Sequence, residues 1–334
     1  MKIIRQSLTV AALTAAFSIP VLAQQNGGPG GPPPGGPAGD TTMGPMGGAD
    51  GGPMNGPDGG PTGGTGGQRD NNVRELGKLL FFDKILSGNQ NISCATCHHP
   101  LAALGDGLSL SVGAGGTGLG VTRETTSKPG QAIVERVPRN APHLFVIGAP
   151  EFTEMFHDGR VATDPSQPGG FLSPAGENLP DGLDSLLAAQ AMFPVTSAAE
   201  MAGQPGENPI ADATAQGNWA GPNGVWDLLA GRLRNNTEYV GLFVDAFADV
   251  GTAGDISFVH VANAMAEFEA NAWRCDNTPL DNFIRTGSLD TVSEKVLRGA
   301  LLFYGPANCV ECHSGNFQTD QGYHAIAMPQ IGPG

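Results

Sequence analysis

Two pentads of the form Cys-x-x-Cys-His constrain this chain more than anything else in it: Cys94-Ala95-Thr96-Cys97-His98 and Cys309-Val310-Glu311-Cys312-His313. At this spacing each of two thiols can form a thioether to a vinyl group of one macrocycle. The histidine that follows is then delivered to the metal as its proximal ligand. This is the attachment pattern of c-type haem, and it occurs twice, so the chain has to wrap two large planar groups. Disulfides within each pair would leave both following histidines unexplained. A thioredoxin-like pair would lack the histidine and sit in a βαβ context. A single zinc site would need the pentads to meet in space, which spacing leaves open.

The N-terminus reads as an export signal: a basic Met1-Lys2-Ile3-Ile4-Arg5, an apolar run over 8–19, and Pro20-Val21-Leu22-Ala23 before a cleavage at Gln24. The run is too short for an ordinary membrane span, and no later segment is long and apolar enough to be one. An uncleaved N-terminal anchor is the alternative. Export places the mature protein in a Gram-negative periplasm, where c-type haem is attached. The formal charge of −15 becomes more negative once Lys2 and Arg5 are removed. That excludes nucleic acid and anionic lipid as partners and suits a partner with a positive surface.

Four segments follow: a signal peptide over 1–23, a Gly/Pro-rich disordered linker over 24–70, an N-terminal haem domain over 71–252 and a C-terminal haem domain over 253–334. The linker holds almost no apolar residues beyond Met43, Met46 and Met54 and cannot offset its ordering entropy. Those methionines could ligate Cu(I), but incidental linker residues are the better reading. Folded structure is expected near Asn72, where Val73, Leu76, Leu79 and Leu80 repeat at helical spacing. Loops are expected over 105–120 and 162–182. Helical patterning returns over 183–191, 225–247, 257–273 and 293–304, the last with Ser293 as N-cap and Gly305 past its end. No sustained two-residue alternation suggests a sheet. The expected class is mainly α: two cytochrome c-like haem domains with long loops, the second incomplete.

Taken in order, further blocks resemble the bacterial di-haem cytochrome c peroxidase family, which includes the MauG-type enzymes. They are Leu80-Phe81-Phe82-Asp83, Leu86-Ser87-Gly88, Arg139-Asn140-Ala141-Pro142, Phe156-His157-Asp158-Gly159-Arg160, Pro194 with Glu200-Met201, and Arg298-Gly299-Ala300-Leu301-Leu302-Phe303 before the second pentad. The resemblance covers about residues 75–330. It implies two covalently bound c-type haems: a peroxide-reacting one on Cys94, Cys97 and His98, and an electron-entry one on Cys309, Cys312 and His313. It also implies Glu200 as distal acid/base, Pro194 as the proline shaping the distal pocket, and Asn140 as ligand of one calcium ion. The implied partners are hydrogen peroxide and a small donor, a cytochrome c or a cupredoxin. A homodimer is left open.

The departures matter as much. Many members carry a blocking histidine in the loop after the first pentad. Here Ala114 stands in its place, in Ser111-Val112-Gly113-Ala114-Gly115, which predicts an open haem face without reductive activation. His99 and His143 are the nearest substitutes; His99 points elsewhere on helical geometry, and His143 reads as a loop or pocket residue. The family tryptophan between the haems is replaced by His157, an electron-relay candidate harder to oxidise. Only a short stretch follows His313, so a truncated sequence is expected. Met328 and His324 are weak candidates for the second haem's sixth ligand. Cys275 is unpaired and expected to be partly buried. The leading function is a periplasmic peroxidase reducing hydrogen peroxide to water. The alternatives are a MauG-like oxidase modifying a partner protein and a non-enzymatic di-haem electron carrier.

Overall fold

The computed structural model describes residues 65–126, 133–275, 277–327 and 329. The signal-peptide reading, the linker up to residue 64 with its methionines, and Met328 lie outside the described residues. Backbone contacts divide the chain into a larger unit over 65–278, joined by residues from 323 onward, and a smaller unit over 279–322.

Helices dominate, as the periodicity predicts. The larger unit contains α1 (Thr65–Phe82), α2 (Cys94–Cys97), α3 (Leu186–Ala191), α4 (Pro209–Ala215), α5 (Val225–Arg234), α6 (Thr237–Ala246) and α7 (Phe258–Ala272); the smaller contains α8 (Pro279–Thr286) and α9 (Glu294–Phe303). The start of α7 follows from Ser257, whose extended backbone ends the preceding loop and whose N–H donates to His260 Nδ1 at 3.0 Å. His260 takes the place that glutamate holds in a capping box. Ser293 caps α9 as predicted, accepting from the Val296 N–H at 3.3 Å. The pattern over 225–247 forms two helices, because the Asn236 side chain accepts from the Glu238 and Tyr239 N–H groups and starts α6 afresh.

Two features differ from the sequence reading. The first helix begins at Thr65, upstream of Asn72, with Asn72 Nδ2 donating to the Asp245 carbonyl at 3.0 Å. A small antiparallel sheet is present: β1 (Glu154–Met155), β2 (Val161–Thr163) and β3 (Phe171–Leu172), in that order, with Met155 opposite Val161 and Thr163 opposite Phe171. Strands of two or three residues are too short to show alternation.

The core of the larger unit lies where α1 crosses α7. Leu76 and Leu80 are sealed in one cluster with Val261, Ala264 and Met265. Gly77 makes the close approach possible, since a Cβ there would sit 1.9 Å from the Ala264 carbonyl oxygen. Beside it Phe81, Phe268 and Trp273 form a ring cluster with centroids 5.2–5.5 Å apart. The residues expected to open the second domain at 253 therefore pack inside the larger unit, because α7 is the main partner of α1. In the smaller unit Phe283 is the one large apolar side chain buried among the described residues, whereas Val296 and Leu302 are exposed. No helix of the described residues is long and apolar enough to cross a membrane.

Candidate functional site around the first pentad

The first pentad is a single helical turn entered from Ser93, whose N–H donates to Thr96 Oγ1 at 2.9 Å. His98 leaves that turn at φ −113°, ψ 62°. Its Nδ1 lies 3.1 Å from the Leu104 carbonyl and 3.0 Å from that of Pro142. The Leu104 carbonyl is brought there by a tight turn in which Ala103 and Leu104 both adopt left-handed backbone, at φ 52° and 60°. With Nδ1–H donating to backbone, Nε2 is the nitrogen left for a metal. Burial also pulls His98 below its ordinary pKa, favouring the neutral imidazole that ligates.

Cys94 and Cys97 are partly buried and form no disulfide. Burial pushes both thiols up, Cys97 to about 12 with Arg123 opposing the shift. The second pentad repeats the tautomer: His313 Nδ1 lies 3.0 Å from the Gln318 carbonyl. Each pentad therefore offers two thiols and one free Nε2, the donor set that c-type haem requires.

Glu200 lies on a different element. Pro194 opens a short 3-10 turn over Pro194–Thr196, and Glu200 sits in the π-helical turn Ala198–Ala202 that follows. The widened pitch shows in the Ala202 N–H, which reaches back five residues to the Ser197 carbonyl at 2.9 Å. Such turns recur at functional sites. Burial raises the Glu200 carboxyl to about 7, and the Arg160 charge partly offsets the rise. The residue as a whole is half-buried. The carboxyl also contributes to the electrostatics felt by Cys97, which links it to the pentad. Arg160 itself stacks on the Phe156 ring at 3.9 Å and donates to both Asp158 carboxylate oxygens at 3.1 Å.

Ala114 lies beside this acid. It is buried, and its N–H donates to the Ala199 carbonyl at 3.1 Å. Gly113 runs so close that a Cβ would lie 2.1 Å from the Ala199 oxygen and 2.4 Å from that of Glu200.

The other predicted residues are mostly exposed. His157 is exposed, following Phe156, whose φ is 67°. Asn140 is exposed, its Nδ2 donating to the Leu108 carbonyl at 2.5 Å. His143 is exposed against Phe145, and His324 is exposed. Cys275 is exposed rather than partly buried, at φ 36° where α7 has ended. A cavity of about 760 Å³ is lined by Val73, Ile147, Phe152, Leu187, Asp184 and Glu267, and by none of the pentad residues or Glu200.

Four residues of this neighbourhood carry a role that sequence reasoning did not assign: Asp106, Arg123, Arg160 and Glu269. Asp106 is fully buried and accepts from the Leu108 N–H at 3.0 Å, while its second oxygen has no hydrogen-bond partner. Arg123 is the one basic residue next to the Gly-rich stretch, a signal visible in the sequence.

A sequence model of the family described as di-haem cytochrome c peroxidase matches residues 71–288. The cytochrome-c peroxidase IdrP2 of Pseudomonas sp. (strain SCT) is 28% identical over 256 residues, covering 77% of this chain and 51% of that protein. The methylamine utilization protein MauG of Methylorubrum extorquens is 30% identical over 253 residues, covering 76% and 52%. The cytochrome c551 peroxidase of Pseudomonas aeruginosa is 27% identical over 257 residues, covering 76% and 54%. The chain thus spans about half the length of the curated relatives it matches. Among solved structures, a MauG-like protein associated with microbial copper homeostasis aligns with a TM-score of 0.46 and 23% identity, over 76% of this chain and 55% of that one. The family match takes in most of the larger unit, including the first pentad, the Gly-rich loop and Glu200, so this chain belongs to the di-haem cytochrome c peroxidase family and its cofactors are haems.

Proposed function

We propose that this chain is a di-haem c-type peroxidase that reduces hydrogen peroxide to water. Its electrons would come from a small periplasmic donor, a cytochrome c or a cupredoxin, and enter through the second pentad. The carrying observation is Glu200, a carboxyl raised to about 7 beside the loop of Ala114. Cys94 and Cys97 would hold one haem by thioethers and His98 Nε2 its iron; Cys309, Cys312 and His313 would hold the other. When bound, the haems supply the redox-active iron at which peroxide takes up electrons.

The rest falls to the chain. Breaking the O–O bond to give two waters consumes two electrons and two protons. A proton must also leave the near oxygen and reach the far one. A carboxyl that titrates near neutrality both accepts and donates at working pH, so Glu200 can carry that proton. Arg160 limits how far the carboxyl rises, keeping its charged form accessible. Pro194 fixes the backbone entering the turn that carries the acid. Ala114 gives the loop a methyl where an imidazole would compete with peroxide. His157 is assigned as the electron relay and Asn140 as a calcium ligand, both on the family resemblance alone.

Glu200→Gln tests the reading. Peroxide turnover with a reduced donor should fall by about two orders of magnitude or more, with haem content unchanged. Wild-type turnover in that variant would sink the proposal, and loss of haem would make the residue structural.

Two observations favour a second reading. An unblocked loop and kinship with MauG proteins both fit oxidation of a partner protein, although His157 in place of a tryptophan counts against it. Mass spectrometry of a co-expressed neighbouring protein, with and without this chain, separates the two.

A further inference from the structure

The turn carrying Glu200 is held from two sides, and each side ends in a guanidinium. On one side Arg123, 4% exposed, donates to three carbonyls of the Gly-rich loop: Nε to Val112, Nη2 to Gly113 at 2.7 Å and Nη1 to Gly118 at 2.9 Å. Gly116 leaves the room, since a Cβ there would lie 2.8 Å from Arg123 Nη2. The loop so gathered sends the Ala114 N–H to the Ala199 carbonyl at 3.1 Å. On the other side Arg232 of α5 donates to the carbonyls of Ile85 at 2.9 Å, Ser87 at 2.6 Å and Gly88 at 2.7 Å. That loop sends the Gly88 N–H to the Met201 carbonyl at 2.7 Å. A Cβ on Gly88 would lie 1.8 Å from the Ala202 oxygen, so contact there is as close as at Gly113. The two loops thus bond the carbonyls on either side of Glu200.

We propose that Arg123 and Arg232 are positioning residues for Glu200, each shaping a glycine loop whose single N–H grips the π-helical turn. Neither needs to touch substrate. A planar fork with fixed donor directions can hold three carbonyls at once, whereas a lysine ammonium on a flexible stem cannot hold the same geometry. Through Val112 the first clamp also meets the pentad, because the Cys97 sulfur lies 3.9 Å from the same carbonyl that Arg123 Nε grips. One buried side chain therefore ties the cofactor-bearing turn to the acid-bearing turn.

The inference rests on the peroxidase reading only for its effect on turnover. The test uses the full-length holoprotein with Arg123→Lys and, separately, Arg232→Lys, both of which keep the charge and lose the fork. Amide hydrogen exchange of Ala114 or Gly88 should speed up at least tenfold in the matching variant. Glu200 protonation, read as the carboxyl infrared band absent from Glu200→Gln, should shift its midpoint from near 7 toward the ordinary carboxylate range. Peroxide turnover should fall at least tenfold with haem content retained. Faster exchange with an unmoved Glu200 midpoint and unchanged turnover would overturn the inference, and so would unchanged exchange. If one variant fails to fold, the other carries the test. If wild type shows no peroxide turnover, the functional reading fails, while exchange and the carboxyl band still decide the positioning role.

Discussion

Glu269 is another carboxylate that this chain dehydrates. It is 7% exposed on α7, and burial alone raises it to about 8. Glu200 and Glu269 both start from an ordinary value of 4.5. Between that value and their folded values the folded chain keeps protons that the unfolded chain has released. Their contribution to stability is therefore full below about 4.5 and is lost as pH rises through 7 and then 8. The urea midpoint should decline from pH 5 to pH 8.5. Glu269→Gln should flatten the upper part of that decline and stabilise the protein at pH 8.5 by roughly 1–3 kcal/mol, with little change at pH 5. An equal gain at both pH values would show that its titration is not the cause. The burial of Glu269 was legible: it lies four residues beyond Met265 on the apolar stripe of Phe258, Val261 and Met265. Its neighbour Glu267 faces away and pairs with Arg74 at 2.8 Å. The burial of Glu200 was not legible in this way. Ala198-Ala199-Glu200-Met201-Ala202 has no local pattern that marks a site, and only the family blocks singled it out; loops distant in sequence enclose it.

Among the elements, the crossing of α1 and α7 is the one on which the larger unit depends. The Gly77 contact with the Ala264 carbonyl leaves no room for a methyl. Gly77→Ala gains up to about 1 kcal/mol of helix propensity. The overpacking it causes typically costs about 1–3 kcal/mol and here has backbone as its obstacle. The expected net result is a lower Tm by several degrees in calorimetry; an unchanged or higher Tm would mean the helices separate without cost. The ends of α7 and α9 could be read from Ser257 and Ser293, because a serine ahead of an apolar stripe has a local hydrogen-bonding reason to start a helix. Thr65–Asn71 could not, since that part of α1 is Gly-rich and polar and resembles the linker before it. The small sheet escaped because its strands, set by a hairpin around Gly159 at φ 66°, have no length in which to alternate.

For the molecule as a whole, a formal charge of −15 shapes encounters before any contact forms. A donor with a positive surface should react more slowly as ionic strength rises from about 0.01 to 0.15 M, over which the screening length falls from about 30 to 8 Å. A salt-independent rate would place the docking patch away from the acidic surface. The smaller unit has a different dependence. Among its described residues Phe283 is the one large apolar side chain that is buried. Ordering costs about 1–2 kcal/mol per residue, and a segment with so little peptide core cannot meet that cost from its own side chains. In the proposed holoprotein the porphyrin joined to Cys309 and Cys312 would give this segment an apolar surface to pack on. For these residues, then, the maturation step that joins the cofactor to Cys309 and Cys312 would also be a folding step.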